Sequence, residues 1–193
     1  MTSTASTLWR ATAAGLAMLA LSGTAPAQQQ RLPTVPAVDL QRYAGTWHEV
    51  ARLPNRFQAQ CVAEVTAEYT PRDDGTVGVV NRCRGAAAGG ADGPLSVAEG
   101  VARPVDATNA RLRVSFLPAA LRWLPVGWGD YWVLELDPEY RWALVGEPGR
   151  DYLWVLSRSP VLPQEVLQGL LGRAGELGFP VDRIILSARK PPG

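Results

Sequence analysis

Histidine is almost missing from this chain: His48 is the only one in 193 residues, so no histidine pair or cluster can build a zinc site. Gly-x-Ser-x-Gly does not occur either, which removes the usual seat of a nucleophilic serine at a strand-to-helix elbow. The glycine run Gly85-Ala86-Ala87-Ala88-Gly89-Gly90 opens no helix and so lacks what a phosphate-cradling loop requires; it reads as a flexible loop. Asp73-Asp74-Gly75 is turn chemistry, because the later ligand positions of a calcium loop are absent. Lys190 is the only lysine, basic charge is carried by arginine, and the net charge is +1, so nothing steers the protein towards nucleic acid. No catalytic residue, metal or cofactor is expected.

No apolar run reaches the ~20 residues that a membrane-spanning helix needs. The longest, 11–22, follows Trp9 and Arg10 and leads to Ala25-Pro26-Ala27, small residues at the two positions a signal peptidase reads. The expectation is a secretory signal over 1–27, cut after Ala27; a membrane anchor is the alternative, disfavoured by the short run and the glutamines behind it. No cysteine follows the run, so the exported protein is expected to have no lipoprotein anchor. Removing 27 of 193 residues leaves 166, a single domain over 28–193 with room for a sizeable core.

Only two cysteines are present, and in an exported chain they read first as one disulfide, with two free thiols as the alternative. Residues 62–69 alternate small or apolar side chains with Glu64, Thr66 and Glu68, the period of a half-buried strand. The turn Pro71-Arg72-Asp73-Asp74-Gly75 leads to a second strand, 76–84. Cys61 shares the parity of Ala63, Val65, Ala67 and Tyr69; Cys83 shares that of Val77 and Val79. A bond across this hairpin is reasonable, although simple pairing leaves the two out of register, so a bulge or diverging strand ends is required.

Further strands are expected at 47–53, 95–103, 110–116, 129–136, 142–146 and 152–158, which with the hairpin makes eight. Asp39 can cap one helical turn through Tyr43. Pro163 opens a helix over about 163–177, with Val166, Leu167, Leu170, Leu171, Ala174 and Leu177 on one stripe and Gly178 at its stop. A late strand, 183–187, follows. This pattern suits an all-β fold: an eight-stranded antiparallel up-and-down β-barrel, core about 39–158, with the C-terminal α-helix packed outside and an interior wide enough for one small ligand.

Counting strands up and down places the turns 71–75, 104–109 and 137–141, and Arg158, at one end. The segments 54–60, 85–94, 117–128 and 147–151 then ring the other. The segment 117–128, opening on Leu117 and closing on Trp128, is unusually apolar for a loop. It reads as a lid burying its own leucines or as a contact with ligand or membrane. Alternation turns Leu112, Val114 and Phe116 inward against Arg111, Arg113 and Ser115, and turns Trp132, Leu134 and Leu136 inward against Glu135. Asn81, on the face of Val77 and Val79, is a polar handle in an apolar cup. Candidate ligand contacts are thus Trp128, Trp132 and Asn81, with plain core packing as the alternative for the aromatics.

Three separated motifs carry a resemblance: Gly45-Thr46-Trp47, Asp137-Pro138-Glu139-Tyr140, and Arg158 at the end of Leu153-Trp154-Val155-Leu156-Ser157. Together they resemble the lipocalin signature, and Ala143-Leu144-Val145, Arg72-Asp73-Asp74-Gly75 and Val79-Val80-Asn81 look like the bacterial outer-membrane and apolipoprotein D-like group. The resemblance implies that Trp47 closes the barrel base, with the Asp137–Tyr140 turn beside it and Arg158 packed over the indole. It also implies that Trp154 lines the pocket, bringing Tyr152 and Leu156 to the same face. The implied function is non-catalytic binding, storage or transport of fatty acids or lysophospholipids in the bacterial envelope, in the periplasm or at the outer membrane, with homodimerisation open. Several relatives carry a lipoprotein signal, from which this chain departs. The alternative is an envelope or membrane-surface interaction protein; an enzyme reading rests only on a reduced Cys61 near the mouth.

Overall fold

The computed structural model describes residues 32–87 and 93–187; the signal expected over 1–27 lies outside the described residues. Asp39 starts the first regular element, its carboxylate accepting from the backbone N–H of Gln41 and Arg42 and so capping α1, Leu40–Tyr43. Eight strands follow: β1 Gly45–Arg52, β2 Ala63–Pro71, β3 Val77–Arg84, β4 Leu95–Pro104, β5 Arg111–Ser115, β6 Gly129–Leu136, β7 Trp142–Gly146 and β8 Leu153–Ser157. Each pairs antiparallel with its sequence neighbour, and β1 bonds both β8 and β2, which closes the barrel.

β1 splits its edge. Gly45 to His48 pair with β2, whereas Ala51 and Arg52 pair on that same side with the short β9, Ile185–Leu186. The late strand is therefore two residues long. The residues ahead of it, Val181–Arg183, form a 3-10 turn instead of an extended start.

Two apolar cores lie on opposite sides of the barrel wall. Inside the base, Trp47, Tyr69, Val77, Val79, Ala102, Leu112, Val133, Val145 and Leu156 pack together. Outside, Ala51, Leu144, Leu153 and Val155 meet Leu167, Leu170 and Ala174 of α2, Gln164–Glu176. Adjacent residues of β8 thus serve different cores, as period-two alternation demands. The helix ends where Gly178 takes φ +86°, a backbone conformation that suits a residue without Cβ. Each fully buried Leu or Val of these cores contributes up to roughly 1.5–3 kcal/mol of transfer free energy.

The hairpin β2–β3 carries the Cys61–Cys83 disulfide, with Cα atoms 5.5 Å apart. Its register shifts between Ala63 and Thr66, where Glu64 has φ 52°. That irregularity supplies the offset which simple pairing around the turn at Arg72 to Gly75 could not.

Candidate ligand-binding site

The closed end is assembled from all three sequence motifs. Trp47 is fully buried and donates its indole N–H to the Tyr43 carbonyl at 2.8 Å. The Arg158 guanidinium lies 4.1 Å from the indole centroid and donates to the carbonyls of Thr46, Arg42 and Tyr140 at 2.9, 2.8 and 3.4 Å. Asp137 accepts two bonds of 2.8 Å from Arg141 and also caps the backbone N–H of Glu139 and Arg141. Those bonds, the Arg141 side chain first, hold the Asp137 carboxyl below its ordinary range. Tyr140, at φ 59°, turns its hydroxyl to accept from Asp39 N–H. The segment before α1 also lines the base: Val35 N–H donates to Val133 and Val38 N–H to Thr108.

Above Trp47 the floor is phenolic. Tyr131 bonds through its hydroxyl to Tyr43 at 2.8 Å and to Tyr69 at 2.9 Å. Burial, the leading cause at each, pushes Tyr69 up to about 12 and Tyr43 and Tyr131 well above their ordinary value. The floor is therefore neutral.

Higher on the wall, β3 and β4 pair Val79 with Gly100 and Asn81 with Ala98, while β2 sets Ala67 opposite Asn81. A Cβ on Gly100 would stand 2.8 Å from the Phe116 ring, so the glycine makes room for that ring against the inner wall. Asn81 faces the lumen, and its Oδ1 is buried without a partner among the described residues. Trp154 shares the inner face with Leu156 and Val145. Tyr152 stacks on Trp154 with ring centroids 6.1 Å apart, and the exposed Phe57 lies 5.2 Å from Tyr152. An aromatic rim results at the mouth.

A polar cluster that sequence reasoning missed braces this rim. Glu49 and Arg52 are both buried and form an ion pair at 3.3 Å. Glu49 also accepts from Gln58 at 2.7 Å and from Ser187 at 2.5 Å, and Gln58 accepts from the Trp154 indole at 2.9 Å. Three residues apart in a regular strand, Glu49 and Arg52 would point to opposite faces. A register shift between Glu49 and Ala51 puts both inside. The only sequence signal was a pair of opposite charges, Glu49 and Arg52, on either side of the apolar Val50 and Ala51.

Two of the sequence-based contacts do not reach the cup. Trp132 lies on the outer face, packed against the core beneath α2, with the Arg111 guanidinium 5.0 Å from its ring centre. The expectation counted back by twos from Glu135, which does face outward and bonds Arg173 of α2 at 2.8 Å. A register shift between Val133 and Glu135 inverts the count, so Tyr131 and Val133 point inward and Trp132 and Leu134 outward. Trp128 is also outside. It follows the outward face of Asp130, which pairs with Arg113, and sits 4.8 Å from the Arg103 guanidinium with its indole N–H bonded to the Arg122 carbonyl. Segment 117–128 folds around Arg122, which donates to the Leu117 carbonyl, and Ser115, expected in water, is fully buried with its hydroxyl accepting from Leu117 N–H. The apolar tip stays out: Trp123 is 78% exposed.

His48 faces outward on β1, its imidazole held below the usual value by partial burial. Among the described residues no group of three or more His, Cys, Asp or Glu could hold a metal ion, and no helix is long and apolar enough to cross a membrane.

A family model described as a Lipocalin-like domain matches residues 38–189. The chain is 39% identical over 174 residues to the outer membrane lipoprotein Blc of Escherichia coli K12, covering 90% of this chain and 92% of that protein. It is 36% identical over 160 residues to temperature-induced lipocalin-1 of Arabidopsis thaliana, covering 81% and 82% respectively. Among solved structures, insecticyanin of Manduca sexta superposes with TM-score 0.62 at 23% identity, covering 82% of this chain and 84% of its own, which speaks for the fold.

Proposed function

We propose, on the premise that this chain belongs to the lipocalin family, whose members bind small hydrophobic ligands, that it is a non-catalytic carrier of fatty acids, lysophospholipids or similar single-chain amphiphiles in the bacterial envelope. The observation that carries the reading is the aromatic rim of Phe57, Tyr152 and Trp154 standing over an inner wall of Ala67, Val114 and Phe116. An acyl chain passing the rim gains up to roughly 0.8 kcal/mol per buried methylene before ordering costs are deducted. The head stays at the mouth, where the Glu49–Arg52–Gln58 cluster holds Trp154 in place.

Trp154 is the natural reporter. Titrating delipidated protein with an acyl amphiphile should change and saturate its fluorescence, and Trp154→Ala should weaken binding by calorimetry while the far-UV spectrum is kept. Failure to bind any acyl amphiphile at micromolar concentration, or turnover of one, would end the carrier reading. The exposure of Trp123, Leu121 and Val126 favours a second reading, peripheral membrane contact through segment 117–128. Vesicle co-sedimentation lost in Trp123→Ser would support it.

A further inference from the structure

The floor of the cup is polar where an acyl chain ends in a methyl group. β2 and β6 stand four strands apart in the ring of eight and so face each other across the lumen. Tyr69 on β2 and Tyr131 on β6 nevertheless touch through their hydroxyls, and Tyr43 of α1 joins them from below. Three phenolic protons meet here, but only two hydrogen bonds join the three oxygens. Whichever way the hydroxyls rotate, at least one O–H has no acceptor among the described residues. Among the described residues no carboxylate or backbone carbonyl terminates the chain.

Asn81 adds the complementary group. It sits two cross-strand pairs nearer the mouth than Tyr69 and Val79, the next position on the same inner face, and its buried Oδ1 receives no donor among the described residues. Turning the amide over would present Nδ2 at that place instead, so a group that both donates and accepts suits either orientation. A hydroxyl is such a group. A carboxylate is not: it only accepts, and it would be a buried charge with no guanidinium bonded to the phenols or to Asn81 among the described residues.

We infer that the cup selects amphiphiles carrying a hydroxyl at the tail end that reaches the floor, held between the free phenolic O–H of the Tyr43–Tyr131–Tyr69 chain and the Asn81 amide. The inference rests on the carrier reading and refines its ligand class: polar at both ends, apolar between.

The test uses the delipidated full chain and matched pairs of probes, lauric, myristic and palmitic acids each beside its ω-hydroxy counterpart, so that chain length can be fitted to depth. Without partners at the floor the added hydroxyl must weaken binding, since its hydration is lost. With them, the hydroxylated member of the best-fitting pair should bind about tenfold tighter, the worth of one good hydrogen bond gained by each partner. In Tyr43→Phe/Tyr69→Phe/Tyr131→Phe, which removes every phenolic O–H of the floor, the preference should reverse. Asn81→Leu, a change at a half-buried position that leaves the phenols intact, should lower the ratio of hydroxy-acid to plain-acid affinity. Equal or weaker binding of every ω-hydroxy acid to the unaltered protein would assign the free O–H to water and overturn the inference with the carrier reading intact, as would a preference that survives in both variants. Binding of neither series would overturn both.

Discussion

Arg158→Lys isolates what the guanidinium contributes at the closed end. The arginine stacks on Trp47 at 4.1 Å and reaches three carbonyls, on Thr46, Arg42 and Tyr140, at 2.9, 2.8 and 3.4 Å. A lysine ammonium can keep part of the cation–π attraction, itself about 0.5–2 kcal/mol, but it is a point donor that cannot span three diverging acceptors. Two bonds are lost. The carbonyls of Thr46 and Arg42 reach water, so each loss costs nearer 0.5–1 kcal/mol than the full penalty of a buried orphan. The expected destabilisation is about 1–2 kcal/mol, which for a domain of this size lowers Tm by roughly 3–6 °C. Scanning calorimetry on the apo protein measures it directly. Acyl affinity should not change, because the phenol layer of Tyr43, Tyr69 and Tyr131 separates Trp47 from the lumen. An unchanged Tm would refute the energetic role given to this contact; a loss of affinity at unchanged Tm would show that the base reaches the ligand.

Replacing both Cys61 and Cys83 by serine should cost roughly 3 kcal/mol, the chain-entropy value for a loop of 22 residues, read as a lower denaturant midpoint; an unchanged midpoint would mean that the reduced hairpin keeps the loop closed. Arg52→Met should destabilise by about 3–5 kcal/mol by leaving Glu49 charged and buried, whereas Glu49→Leu/Arg52→Met should recover much of that loss. A double variant as damaged as the single one would show that packing, not charge, governs the site. Alkaline pH should unfold the protein steeply. The three floor phenols have folded pKa values above the unfolded value of about 10, so their stabilisation is complete below pH 10 and lost as pH rises towards 12, at up to about 4 kcal/mol per pH unit. Tyrosinate absorbance that titrates before thermal stability falls would contradict this.

The strand count, the barrel and the outer helix were legible because each strand is short, alternating and bounded by turn residues such as Asp73-Asp74-Gly75 and Asp137-Pro138-Glu139-Tyr140. The inner face was legible only as far as alternation ran unbroken. On β8 it did, and Trp154 and Leu156 stand inside with Tyr152 stacked at the rim. On β6 a single inserted residue between Val133 and Glu135 exchanged Trp132 for Tyr131 on the inner wall. On β1 a similar shift brought Glu49 beside Arg52. A bulge leaves no residue-type signature in these strands, since neither carries a glycine or proline at the irregular site.

What the sequence determined by itself is whatever depends on neighbours in the chain: turn positions, strand periods, the capped turn at Asp39, the helix stripe from Val166 to Leu177, and the two cysteines on inward parity. What only the tertiary structure decided is which distant groups meet once the barrel closes. Tyr43, Tyr69 and Tyr131 lie 88 and 62 positions apart along the chain in their two contacts, and nothing local to any of them marks it for the others. Their meeting follows from the diameter of an eight-stranded ring, across which two phenol side chains just reach, and from the register shift in β6 that turns Tyr131 inward, whose cost is balanced over the whole sheet.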